Sequence, residues 1–149
     1  MIRGWWRWVR GDRGNMVWHG IVLVAVLLPL ASLTIDVPRY FSLRARLQLA
    51  ADGSAEASAR CLDFLHFQNV GESRLLPECV TRDSAAIFGL ATQDLAAKGY
   101  QPALGTITID EVVDRVEVEA SGRTTLFFGL TPSFTVDVRA VSGFRMDKR

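Results

Sequence analysis

The chain has 149 residues, a length that favours one domain or one small domain with an appendage. Hydrophobic residues make up 49% of it and charged residues 22%, which excludes a wholly disordered chain. The net charge is only +1, so the chain lacks the overall basic character of a nucleic-acid-binding protein. The charge is unevenly placed, because the first 35 residues hold four arginines against one aspartate, together with all four tryptophans. A basic, aromatic head therefore precedes a different body.

An uncharged, apolar segment follows the head. No Asp, Glu, Lys or Arg occurs from Asn15 to Ile35, and residues 21–30 are almost entirely aliphatic. As a helix, residues 16–35 would span about 30 Å, the thickness of a bilayer's hydrocarbon core. A cleaved secretory signal and a buried helix of a soluble domain are the alternatives; the segment lacks a good small-x-small cleavage site, and its uncharged run is long for a soluble helix. The sequence predicts a transmembrane helix over residues 15–35, after a cytoplasmic head of residues 1–14.

Charges on the two flanks bear on orientation. Four arginines precede the apolar segment and three follow it closely, which by the positive-inside rule weakly favours a cytoplasmic N-terminus. This orientation places the C-terminal body on the outer side of the membrane. The aromatic residues suited to the membrane interface are Trp5, Trp6, Trp8 and Trp18.

The two cysteines both follow the apolar segment. Cys61 and Cys79 are 18 positions apart, and a pair confined to an exported domain suits a disulfide. In the chain-entropy model such a bridge contributes about 3 kcal/mol. Two buried free thiols in a cytosolic domain are the alternative. The absence of a CxxC motif argues against a thioredoxin-like or zinc-ribbon site.

Helical spacing resumes after the apolar segment, and we predict a stalk helix over residues 36–60. Its small side chains in residues 50–59 would let another helix approach closely; the alternative is a plain spacer helix weakened by Gly53. The expected helix-packing stripe follows steps of three and four: Tyr40, Leu43, Leu47, Ala50 and Ser54.

The remaining body, residues 61–149, is predicted to be a small extracytoplasmic domain. Residues 62–82 are expected to be irregular and closed by the disulfide, followed by a helix over Ala85–Lys98 that Asp83 or Ser84 caps and Gly99 ends. The sequence then alternates with a period of two, which predicts half-buried strands. The fold class is α+β: a transmembrane helix, an amphipathic stalk helix, then a small helix and an antiparallel sheet. The strands are centred on Thr106–Ile109, Val116–Ala120 and Phe134–Ala140, with Val116, Val118, Phe134, Val136 and Val138 facing one core.

No catalytic constellation is visible. His66 follows Asp63 by three residues, but one such pair falls short of a metal site, and His19 suits an interfacial or packing role. The acidic pairs 110–111 and 117/119 fit turns and solvated strand faces. We expect no enzyme, cofactor, metal or small-molecule substrate. Phe127 and Phe128, between the last two strands, are candidates for a subunit contact or a membrane contact, with packing beneath the sheet as the alternative.

Residues 13–59 resemble the N-terminal region of TadE/TadG-like proteins of tight-adherence (Flp) pilus systems. The shared features occur in the same order: an Arg-Gly, an apolar run with a Leu-Pro, an Asp-x-x-Arg, a Leu-Gln and an Ala-rich segment. Residues 116–143 also resemble the family's paired strands around a Phe/Leu/Gly-rich link. The first set is Arg13-Gly14, Leu28-Pro29, Asp36 to Arg39, Leu47-Gln48 and Ala50-Ala51-Asp52.

This resemblance implies a membrane-held minor pilin or assembly subunit whose partners are the bilayer and other membrane or pilus assembly subunits. The location it implies is a bacterial inner membrane, crossed once, with the C-terminal body in the periplasm or outside the cell. Processed members are cleaved after a Gly that has Glu as the fifth residue following it. Here Gly14 precedes Asn15, and the fifth residue is His19, which departs from that pattern. A permanently anchored assembly subunit fits this departure better than a filament subunit. The alternative is an accessory single-pass subunit that stabilises a large respiratory or photosynthetic complex.

Overall fold

The computed structural model describes residues 12–125 and 133–144, with side chains described from residue 16 onward. The chain divides into two units, residues 1–38 and 39–149, and each is described by itself. The architecture is α+β, as the sequence predicts. The elements of the described part are α1 Asp12–Ala59, α2 Phe64–Val70, α3 Pro77–Ala97, β1 Gln101–Asp110, β2 Arg115–Thr124 and β3 Phe134–Gly143.

The first unit contains the apolar part of α1. Every side chain from Met16 to Ala31 is exposed, although most of them are aliphatic. This part of the helix is long and apolar enough to cross a membrane, and no second helix in the described residues has that property. Pro29 lies inside the helix, as membrane helices tolerate. At the end of the segment Ser32 Oγ donates to Asp36 Oδ2 at 2.7 Å.

The second unit is built on a three-stranded antiparallel sheet in the order β1-β2-β3. The strands are longer than the alternating residues alone predict, and β1 begins at Gln101 rather than Thr106. A register shift between Leu104 and Ile107 interrupts the pairing of β1 with β2. This bulge explains why the two-residue period is weak in the first half of β1. The buried face of the two other strands consists of Val116, Val118, Ala120, Val136, Val138 and Ala140, with Phe134 partly buried beside them.

The second half of α1 packs on this buried face. Leu43 and Leu47 are 1% and 0% exposed. Leu47 lies against Gly122 of β2 so closely that a Cβ at residue 122 would be 2.5 Å from Leu47 Cδ1. The rings of Tyr40 and Phe134 contact each other with centroids 5.5 Å apart. Helix and sheet therefore share one apolar core.

The predicted irregular segment is partly wrong, because residues 62–82 contain the short helix α2 and the first turns of α3. Helix α3 begins at Pro77, not at Ala85, and neither Asp83 nor Ser84 caps it. Proline is favoured in the first helical turn, where its missing N–H has no partner to lose. The predicted end is confirmed, since α3 ends at Ala97 and Gly99 follows with φ 81°.

Candidate functional site

The small-residue part of the α1 stripe is occupied within the same chain. Ala50 and Ser54 of the stripe are both 0% exposed, and Ala55 beside them is 1% exposed. Ser54 Oγ donates to Ala50 O at 2.8 Å and also lies 3.2 Å from the Ser84 carbonyl of α3. The small side chains thus allow close helix approach, as the sequence indicates, but the helix that approaches is α3. In this structure the stripe is not open to a neighbouring subunit.

The cysteine pair joins the two helices. Cys61 follows the end of α1, Cys79 lies in the first turn of α3, and a disulfide links them with their Cα atoms 5.7 Å apart. The segment between them is closed by its own backbone, because Leu76 N donates to Cys61 O at 2.9 Å and Asp63 N donates to Arg74 O at 2.8 Å. The disulfide therefore closes a loop whose base is also hydrogen-bonded.

Two groups of potential metal ligands have structural contacts in the described residues: Asp63 with His66, and Asp83 with the two cysteines. The Asp63 carboxylate accepts the backbone N–H of His66 at 3.0 Å, so the Asp63/His66 spacing is explained by an N-cap of α2. Asp83 lies near both cysteine sulfurs, but these sulfurs are bonded to each other. Metal binding requires thiolates, which a disulfide does not offer. The geometry of this cluster is that of a structural bridge.

One carboxylate of each acidic pair makes a structural contact in the sheet. Asp110 Oδ1 accepts the backbone N–H groups of Val112 and Val113 at 3.0 and 3.3 Å, which caps the β1–β2 turn. Glu117 forms an ion pair with Arg139 across β2 and β3. These carboxylates are engaged in turn and cross-strand contacts.

A shallow depression lies on the outer face of the sheet. Its volume is about 480 Å³, and Glu119, Asp137 and Arg139 line it together with Val138 and small or hydroxyl-bearing residues of β1 and β2. The Arg139 guanidinium pairs with Glu117, and the two lining carboxylates lie on exposed strand positions. The depression presents a polar strand surface rather than a set of groups directed at one reacting atom.

The outer face of α3 is a feature that the sequence alone does not predict. Between Asp83 and Asp94 the exposed residues of this helix carry no charge, and Leu90 is 71% exposed. Among the described residues, nothing outside the neighbouring backbone of the helix lies within 4 Å of a Cβ placed at Gly89. An exposed row runs along the helix at intervals of four residues: Glu78, Arg82, Ala86, Leu90, Asp94 and Lys98. This row is readable from the sequence once α3 is known to begin at Pro77.

The remaining candidate residues belong to the first unit or to undescribed segments. Gly14 and Asn15 lie within the first turn of α1, and the side chain of His19 is exposed on that helix. Phe127 and Phe128 lie outside the described residues. No protein-family model, curated protein or solved structure matches this chain significantly.

Proposed function

We propose that this chain is a non-catalytic, single-pass membrane protein that serves as a TadE/TadG-like assembly subunit or minor pilin of a tight-adherence pilus. The observation that carries the proposal is the division of α1. Its first half exposes an aliphatic surface that is unfavourable in water, and its second half is a core helix of an α+β domain. One helix thereby supplies both a candidate membrane anchor and the scaffold of the body.

Two further features support the proposal. The Cys61–Cys79 disulfide suits an oxidising compartment, which agrees with a body on the outer side of a bacterial inner membrane. The order of short motifs from residue 13 to residue 59 resembles the family. The described polar groups mainly cap helices, close turns and pair strands, which favours a structural role over a catalytic one.

The proposal is tested in the bacterium that carries the chain. Deleting the gene should abolish surface filaments, and a tagged full-length copy should restore them and co-purify with pilus assembly proteins. A matched copy with Leu23, Val24 and Leu27 replaced by Asp removes the apolar span while leaving the body unchanged, and it should fail to restore them. Normal filaments in the deletion strain would contradict the proposal. Stoichiometric co-purification with cofactor-bearing subunits would instead establish the accessory role.

Intact mass measured on the same material addresses processing. A chain beginning at or near Met1, with the mass deficit of one disulfide, is the expected result for an anchored assembly subunit. A chain that begins at Asn15 would show that cleavage after Gly14 occurs despite His19, and would identify a filament subunit.

A further inference from the structure

We infer that the outer face of α3 is a self-association surface, on which two copies of this chain pack their α3 helices in antiparallel orientation about a two-fold axis. The inference goes beyond the proposed function and does not depend on it. It rests on the exposed row of α3 defined above, from Glu78 to Lys98, and on the uncharged centre of that row.

The centre of the row is the most outward part of the helix. Phe88 is 5% exposed and points into the core, so the outward direction is opposite to it. At 100° per residue, Ala86 and Leu90 lie about 20° on either side of that direction, and Arg82 and Asp94 lie about 60° on either side. A partner that approaches this face meets Ala86 and Leu90 first and the two charged residues next.

The exposed row is complementary, in charge and in side-chain volume, to the same row of a second copy that runs in the opposite direction. An antiparallel copy centred at the level of Phe88 places Arg82 opposite Asp94 and Ala86 opposite Leu90, so that opposite charges and unequal volumes meet. Each of these contacts occurs twice, as a two-fold interface requires. The rows lie alongside each other when the helices cross at about 50°, the commonest packing angle in globular proteins. Outside this centre, Glu78 and Lys98 continue the same alternation of charge.

Among the described residues, Arg82 and Asp94 do not pair with each other, and each has only an exposed partner of opposite charge. Arg82 and Asp94 are about 18 Å apart along the helix, beyond the reach of an ion pair. Their side chains are 76% and 78% exposed. Arg82 contacts the adjacent Asp83, and Asp94 lies 3.9 Å from Arg46, a pair that is also exposed. Such surface pairs are weak, so they leave both charges available to a second copy.

The first experiment is a cross-link in membranes that contain the full-length chain. Both native cysteines are in the disulfide, so Ala86→Cys adds the single free thiol. With helix axes 8–10 Å apart, the two introduced thiols would lie within about 10 Å of each other, which a short bismaleimide spans. The control is Thr108→Cys, an exposed position on the outer face of the sheet. Covalent dimer should form at residue 86 and remain at background at residue 108.

Charge reversal provides the decisive comparison. Arg82→Glu and Asp94→Arg, each placed in the Ala86→Cys background, should lower the cross-linked fraction about five- to thirtyfold, because each creates two repulsive pairs. The double reversal should restore it to within about twofold of the parent. Leu90→Glu should abolish it, and Arg123→Glu, on the sheet, should leave it unchanged. Unchanged cross-linking in the single reversals, failure of the double reversal to restore it, or exclusive cross-linking to a different protein would overturn the inference.

Discussion

Replacement of Gly122 by alanine should destabilise the domain, against the usual effect of this change in a strand. Gly122 lies in the central strand β2 and is buried under α1. Its new Cβ would be 2.5 Å from Leu47 Cδ1, 3.4 Å from Leu47 Cγ and 3.5 Å from Leu43 Cδ1. Alanine in a strand interior gains about 0.5–1 kcal/mol over glycine through lower chain entropy. Overpacking of a closed core costs about 1–3 kcal/mol, so with both contributions at the middle of their ranges the net loss should be about 1 kcal/mol.

The short distance between this Cβ and Leu47 also predicts that the stability effects of substitutions at residues 47 and 122 are not additive. Leu47→Val shortens the side chain that would clash, and alone it should cost about 1 kcal/mol of the free energy of unfolding. In the Gly122→Ala background its cost should fall by at least about 1 kcal/mol, the size expected for residues in contact. Gly89→Ala is the control in which the same substitution should have the opposite effect. Residue 89 lies in open space within a helix, so alanine should stabilise there by about 1 kcal/mol.

These differences are measured on the full-length chain in detergent by urea titration with pulse proteolysis, which reports the unfolded fraction of the body. The reasoning is refuted if Gly122→Ala is as stable as the parent, or if Leu47→Val costs the same in both backgrounds. Either result would mean that helix and sheet are not in contact at this point.

Three further predictions concern the elements around this core, and the same titration checks each of them. Replacing Cys61 and Cys79 together by alanine should lower the free energy of unfolding by about 3 kcal/mol, and a reductant should then have no further effect on the variant. Asp110→Ala should cost about 1 kcal/mol because the turn loses two hydrogen bonds, whereas Asp110→Asn should retain most of the stability. Gly99→Ala should cost about 1 kcal/mol, because its φ of 81° is unfavourable for residues with a side chain, and equal stability would contradict that conformation.

The sequence predicts the helical stripe and the strands well for a physical reason. Leu43, Leu47 and Ser54 follow the 3.6-residue period because one side of α1 is buried, and the strands alternate because one side of the sheet is buried. The start of α3 is harder to predict, since polar residues at 83 and 84 resemble a cap, while Leu76 provides no side-chain cap. Helix α2 has seven residues and none of them is buried, so it leaves no periodic pattern to detect.

The candidate contact surfaces are also only partly predictable from the sequence. Small residues at 50–59 predict close helix packing, but a sequence pattern does not reveal whether the approaching helix belongs to the same chain. The contact between Ser54 and the Ser84 carbonyl answers that question. Conversely, the exposed row of α3 depends on where the helix begins, so it can be recognised only after Pro77 is placed in the first turn.

The positions of the contacting residues along the chain divide the folding of this domain into two stages during synthesis. Both helices and both cysteines are present once about a hundred residues have emerged, so α1 and α3 can pair and be oxidised before the sheet exists. The apolar side of α1 is covered only later, because its contact residues are synthesised after both helices. Leu47 contacts Gly122, and Tyr40 contacts Phe134. Until β3 arrives, the helix pair carries an uncovered apolar surface. The nascent chain is therefore most exposed to aggregation and proteolysis in the interval between its last helix and its last strand.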